Sequence, residues 1–215
     1  MQLTKRLQTI ANMIDKANVI YDVGCDHGYL DIYLASHGFD CVAIDVRPKV
    51  IEITKKNISL ANLDDKIKVI LNNGLENIVI NDDDIVVLSG LGAKTILKIT
   101  KNQPIKRLIV QSNDNLYLLR KTMMKRCYHI TDEKIIFEDG KYYVVIKFEY
   151  GYKRYKNNQL LLGPELLKNM DDVFINYLKD RQKHFEDIFT KIPKRYFNRR
   201  IKVKFIILYI KWALY

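Results

Sequence analysis

The 215 residues are 48% hydrophobic, enough apolar material for a packed core and too much for a disordered chain. Three cysteines, Cys25, Cys41 and Cys127, are an odd number in no metal-ligand spacing, which argues against a disulfide framework, a zinc site or any other bound metal. The formal charge of +11 is uneven: residues 141–215 hold 17 Lys/Arg against 7 Asp/Glu, while residues 1–140 are nearly balanced. A near-neutral domain with a basic appendage suits a polyanionic partner, because cationic side chains displace counterions condensed on phosphates; a solvated helix surface is the alternative.

The opening segment MQLTKRLQTIANMI is amphipathic, but Lys5 and Arg6 interrupt the unbroken apolar core of a signal peptide, so a cytoplasmic protein is expected. Apolar runs bounded by turn residues then recur at 19-VIYDV-23, 41-CVAID-45, 67-IKVIL-71, 85-IVVLS-89 and 108-LIVQ-111, and each predicts a strand. The segments between them are long enough for helices. Pro48 suits the first turn of a helix through PKVIEITKKNISLAN, and Asp114 is placed to cap the amphipathic stretch from Asn115 to Cys127. Such alternation predicts a parallel sheet covered by helices on both faces.

The period then changes. Residues 134-KIIFEDGKYYVVIKFEY-150 form two β-rich runs around Asp139-Gly140, a dipeptide suited to a tight hairpin. Five parallel strands finished by a hairpin make seven, a plan that resembles class I S-adenosylmethionine-dependent methyltransferases. The expected fold class is therefore α/β, with a seven-stranded Rossmann-like sheet. From Gly163-Pro164 onward, Leu166, Leu167, Met170, Val173, Phe174, Tyr177 and Leu178 recur at near-heptad spacing and predict a helical, coiled-coil-like appendage. The expected division is a methyltransferase domain over residues 1–155 and a basic helical domain over 156–215. Its tail, 195–215, is atypical: a basic cluster precedes an apolar end carrying Lys211, too short and interrupted to span a bilayer, so a docked helix or strand is expected.

Ligands of open parallel sheets bind beyond the carboxyl ends of the strands. The unusual residues of this chain gather at those ends: Asp22, Gly24, Asp26, His27 and Gly28, then Asp45, then Asn73-Gly74, then Ser89-Gly90-Leu91-Gly92, then Gln111-Ser112-Asn113. Gly24 permits a tight turn against a ligand, and Asp45, 23 residues after Asp22, stands where a carboxylate accepts both hydroxyls of a ribose. No glycine-lysine-serine/threonine motif for a triphosphate is present, which disfavours a nucleotide hydrolase.

Seven collinear stretches carry a family resemblance: LTKRLQTIA, YDVGCDHGYL, NNGL at 72–75, LSGLGAKTI at 88–96, LIVQSN at 108–113, EDGKYYVV at 138–145 and LLGPELLK at 161–168. Together they cover residues 3–170 and resemble the bacterial tRNA (adenine(22)-N1)-methyltransferases, the TrmK family. The resemblance implies S-adenosyl-L-methionine as methyl donor and tRNA as acceptor; a monomer is expected. The chain departs from the family pattern at Asn73, where an Asp is usual, and at Asp31, Leu91, Ala93 and Ser112; a positive φ would strain Ala93. Asn73 keeps a carbonyl able to accept from an adenine amino group.

On this reading Asp26, standing where a third glycine is usual, orients or deprotonates the target adenine, with capping of the following helix as the structural alternative. Asp22, Gly24, His27, Asp45, Asn73, Gly74, Ser89 and Gly90 form the donor site. Tyr29 stacks on a flipped base or packs in the core, and Gln111 and Asn113 offer amides to an adenine edge. Arg195, Arg199 and Arg200 lead the phosphate-binding cluster. Two further readings stay open: a non-catalytic RNA-binding module with a methyltransferase fold, and a methyltransferase acting on protein or small molecules.

Overall fold

The computed structural model describes residues 2–215. In chain order its elements are α1 (Lys5–Asn12), β1 (Val19–Val23), α2 (Tyr29–Ser36), β2 (Asp40–Asp45), α3 (Pro48–Leu60), β3 (Ile67–Leu71), β4 (Ile85–Leu91), α4 (Ala93–Ile99), β5 (Arg107–Ser112), α5 (Leu116–Lys125), β6 (Tyr128–Glu138), β7 (Lys141–Tyr150), α6 (Asn157–Leu162), α7 (Pro164–Asn169), α8 (Asp172–Lys191) and α9 (Phe197–Leu214). The strands form one sheet in the order β3-β2-β1-β4-β5-β7-β6. β7 is antiparallel to both its neighbours, and every other pairing is parallel. This is the seven-stranded α/β methyltransferase plan that the sequence predicts.

Apolar runs buried on both faces explain the layers. In β4, Val86 and Leu88 face one core while Ile85 and Val87 face the other; in β2, Val42 and Ile44 alternate with Cys41 and Ala43 in the same way. Helices α1 and α2 cover the second face, and α4, α5 and the C-terminal helices cover the first. The β6–β7 hairpin turns on Asp139 (φ 50°) and Gly140 (φ 74°), the pair of left-handed residues a two-residue turn requires.

Two local expectations are corrected. Asp114 caps α4, accepting from Ala93 N at 2.7 Å, whereas α5 is capped by Asn115, whose side chain accepts from Leu118 N at 3.2 Å. Asn115 sits one residue closer to the helix, within reach of its third amide. Ala93 opens α4 without a positive φ, so no strain arises there. Residues 197–214 form a docked helix: Val203, Ile207 and Ile210 are buried, and Lys211 pairs with Glu186 of α8 at 3.0 Å. Among the described residues no helix is long and apolar enough to cross a membrane.

Two buried pairs bear on stability. The first joins Arg120 of α5 to Glu133 of β6 (Nε to Oε1, 2.6 Å), with side chains 1% and 0% exposed. Glu133 also accepts from Glu165 N, and Arg120 donates to Leu160 O, so the pair ties α6 and α7 to the sheet. Gly163 lies over it with φ +102°, and a Cβ there would come within 2.7 Å of Glu133 Oε2. The second pair is Asp22 of β1 with Asp31 of α2, both buried, with no protein donor on either Asp31 oxygen. Two neighbouring carboxyls taken out of water resist ionising together. Burial raises both; Asp22 is pushed up to about 7 and Asp31 is held well above the ordinary carboxylate range by burial and by Asp22.

Removing one partner of a buried ion pair strands the other, so Arg120→Ala should cost about 3–5 kcal/mol. Urea unfolding checks this, and a loss below about 1 kcal/mol would contradict it. The carboxyl pair has the opposite sense with pH. Its folded state holds protons that the unfolded chain releases from its usual pKa of 3.8, so stability falls as pH rises toward the folded value of about 7 for Asp22. Asp31→Asn supplies a donor without a proton. Its melting temperature should exceed that of the unsubstituted chain by a few degrees at about pH 8, with the gain shrinking toward about pH 4.

Candidate active site

A cavity of about 950 Å³ opens at the carboxyl ends of β1, β2 and β4, where the strand order reverses. Asp22, Gly24, Asp26, His27, Tyr29, Asp45, Asn73, Gly74, Ser89, Gly90 and Asn113 line it; Gln111, Arg195, Arg199 and Arg200 do not.

The loop between β1 and α2 is pinned to β2: Gly24 N and Cys25 N both donate to Ile44 O, at 2.8 and 3.1 Å. Three of its residues are left-handed, Gly24 (φ 88°), Asp26 (φ 52°) and Gly28 (φ 74°). Asp is among the few side chains that tolerate such a backbone, which is how a carboxylate occupies a glycine position here. The Asp26 side chain is 65% exposed and lines the cavity. It caps no helix: the N-cap of α2 is Gly28, and no side chain accepts there. The capping alternative is therefore not the one realised.

Asp45, at the end of β2, is buried, and Arg47 occupies most of its acceptor capacity: Arg47 N and Nε both lie 2.9 Å from Oδ1, and Nη2 lies 2.8 Å from Oδ2. Burial opposes ionisation of Asp45, but these hydrogen bonds and the Arg47 charge outweigh it and hold the carboxyl below its ordinary range. The same Nη2 stands 3.5 Å from Asp26 Oδ1, so one exposed guanidinium bridges the two carboxylates. His27 Nε2 approaches Asp26 at 4.0 Å, while its Nδ1 is buried and without a hydrogen-bond partner. Tyr29 is 46% exposed over the cavity and is not a core residue.

On the β3 side, Asn73 lines the cavity and donates to Glu76, and its carbonyl oxygen accepts no hydrogen bond from the protein. Gly74, at φ 63°, has its α-carbon face against Ile99, which a Cβ would meet at 3.0 Å. On the β4 side, Gly90 is the extra residue of a bulge between β4 and β5, and its nitrogen donates to Gln111 Oε1 at 3.0 Å.

Gln111, expected to offer its amide to an adenine edge, is instead turned into the wall and does not line the cavity. It is fully buried, accepts from Arg6 Nη1 at 3.1 Å and donates to Asn113 Oδ1 at 3.0 Å, so its amide is consumed inside the wall. Asn113 donates on to Gly90 O at 2.7 Å and keeps one N–H and one lone pair for the cavity. Arg200 is corrected too: it donates to Phe189 O and Ile192 O and stacks over Phe189, closing the turn between α8 and α9.

Sequence reasoning missed Arg6, Arg47, Glu76 and Tyr143. Arg6 reaches from α1 to Ser89 Oγ at 2.8 Å, lies over the Tyr143 ring and lowers the charge cost at Asp22. The α1 backbone is fastened by Glu138, at the end of β6, through Lys5 N and Arg6 N. The signal available for Arg47 was a cation two residues past the strand-end acid. Nothing local marked Arg6. Among the described residues, no group of three or more His, Cys, Asp or Glu could hold a metal ion.

Comparison with known proteins agrees with this geometry. The family model described as tRNA (adenine(22)-N(1))-methyltransferase, TrmK, matches residues 20–210. A Bacillus subtilis protein of that name is 31% identical over 207 residues, covering 90% of this chain and 87% of its own. The structure of M. capricolum TrmK in complex with S-adenosyl-homocysteine superposes with a TM-score of 0.89 at 30% identity, covering 100% of this chain and 98% of that one. B. subtilis TrmK gives a TM-score of 0.89 at 26% identity, with coverage of 100% and 99%. With a model matched along nearly the whole sequence and a wound sheet whose rim gathers these carboxylates, the chain belongs to the tRNA (adenine(22)-N(1))-methyltransferase family.

Proposed function

We propose that the chain transfers a methyl group from S-adenosyl-L-methionine to N1 of adenine 22 in tRNA, the reaction for which its family is named. The observation that carries the assignment of roles is the bridge of Arg47 between Asp45 and Asp26: a carboxylate for the donor and a carboxylate for the acceptor border one space. The residues fit such a donor. Gly24 and Gly90 present bare backbone, Asp45 presents a carboxylate with a lone pair to spare, and the buried Nδ1 of His27 lacks a partner. At about 950 Å³ the cavity is at the upper end for a single small ligand, which leaves room for a base beside it.

When bound, the donor supplies a sulfonium methyl group to a nucleophile in line with it. Alignment is then the main task of the protein. Asp45 accepts ribose hydroxyls once the exposed Arg47 side chain shifts, Asn73 offers its free carbonyl to an adenine amine, and His27 contacts the donor's charged end. Asp26 faces the exocyclic amine of the target base, holding it in register and stabilising the cationic product. Tyr29 stacks on the flipped base, Asn113 meets its edge, and Gln111 keeps Asn113 in place. Arg195 and Arg199, both exposed, contact tRNA phosphates. A monomer and a cytoplasmic place belong to the same reading, and Cys25, Cys41 and Cys127 are free thiols. No observation favours a non-catalytic module.

Asp26→Ala should lower kcat at least about 100-fold while donor affinity by calorimetry stays within about twofold. Near-normal turnover would remove Asp26 from the chemistry. Asp45→Ala should weaken donor binding about 10- to 100-fold, and an unchanged dissociation constant would overturn the ribose assignment.

A further inference from the structure

A second cleft, of about 440 Å³, adjoins the catalytic cavity, and Lys101 and Gln103 line both. It is formed where the chain leaves α4 and turns into β5, and it ends at Tyr150, the last residue of β7. No acidic side chain lines it. Tyr150 is 55% exposed yet held in place: Tyr128 meets its ring edge-on at 5.7 Å, and Lys106 Nζ stands 4.7 Å from its centroid.

Cations at a helix C-terminus are commonly explained by the helix dipole. Here Arg126 donates to Leu97 O and Thr100 Oγ1 at the end of α4 and Lys98 stands in its last turn, which leaves Lys101 and Lys106 beyond the helix. The Nζ atoms of Lys98, Lys101 and Lys106 make no hydrogen bond or ion pair among the described residues. Lys98 lines the catalytic cavity, Lys101 the junction and Lys106, over the Tyr150 ring, the second cleft, so charges without an acidic partner follow one path away from the site. A basic groove tracked by an accessible aromatic face is the arrangement that holds a single nucleic-acid strand.

We propose that this second cleft is the exit track for the tRNA strand flanking the flipped adenine, with phosphates on Lys98, Lys101 and Lys106 and one unpaired base stacked on Tyr150. The inference rests on the tRNA reading above, and it places part of the RNA grip on the methyltransferase sheet rather than on the basic C-terminal helices. Extrusion of the target base requires its neighbours to be held, which gives such a track its use.

The test uses the full chain, S-adenosyl-L-methionine and an unmodified tRNA transcript carrying adenine at position 22. Lys101→Glu/Lys106→Glu should raise KM for tRNA about tenfold or more and flatten the salt dependence of tRNA binding by about 1.5 in log–log slope, with donor affinity and melting temperature retained. Tyr150→Ala should raise KM about tenfold, and Tyr150→Phe should restore it because stacking needs only the ring. If the unsubstituted chain methylates the transcript and the lysine double variant matches it in KM and salt slope, the track is wrong while the function stands. If the unsubstituted chain leaves adenine 22 unmethylated, the functional reading fails and takes the track with it.

Discussion

Charge balance at the rim of the sheet is the constraint on which the site depends. Asp22, Asp31 and Asp45 are buried near the ends of β1 and β2, with the exposed Asp26 beside them, a crowding of negative groups that burial alone would oppose. Two guanidiniums and the raised carboxyls of the buried pair make the arrangement tolerable: Arg47 binds Asp45 and faces Asp26, the Arg6 charge favours Asp22, and burial holds Asp22 and Asp31 toward their protonated forms. At the cavity itself the carboxylates of Asp26 and Asp45 remain, both beside Arg47. That is a congenial setting for a sulfonium cation and for a base that becomes cationic on methylation.

Much of the fold was legible because the strands are read by a simple rule. Short β-branched runs buried on both faces, such as 85-IVVLS-89, allow little else in a chain of alternating helices, and Asp139-Gly140 demands the left-handed turn that finishes the sheet. The loop residues at strand ends were legible for the same reason, since topology alone brings Asp22, Asp45, Asn73 and Ser89 to one rim. What topology leaves open is the direction of a side chain. Gln111 ends its strand beside the cavity yet turns inward, because Arg6 and Gly90 take its oxygen.

Partners far apart in sequence were the other gap. Arg6 joins Ser89 across 83 residues, and Asp31 meets Asp22 only once α2 packs on the sheet, so neither contact leaves a local trace. Asp114 shows the same limit at short range: its sequence position suits the helix that follows, but the loop geometry turns it to the start of α4 instead. The C-terminal helices were legible as helices, whereas the use of Arg200 to close their turn depended on the crossing of α8 and α9.

The wall contributed by α1 has a temporal implication. Arg6 reaches its station only when Lys5 N and Arg6 N are fastened to Glu138, 133 and 132 residues later in the chain, and when β7 has delivered Tyr143 beneath it. A nascent polypeptide still held by the ribosome short of that hairpin would own the loops expected to receive the nucleoside but not the far side of the recess. Competence toward RNA would thus arise late in synthesis, after the emerging enzyme has already closed its sheet.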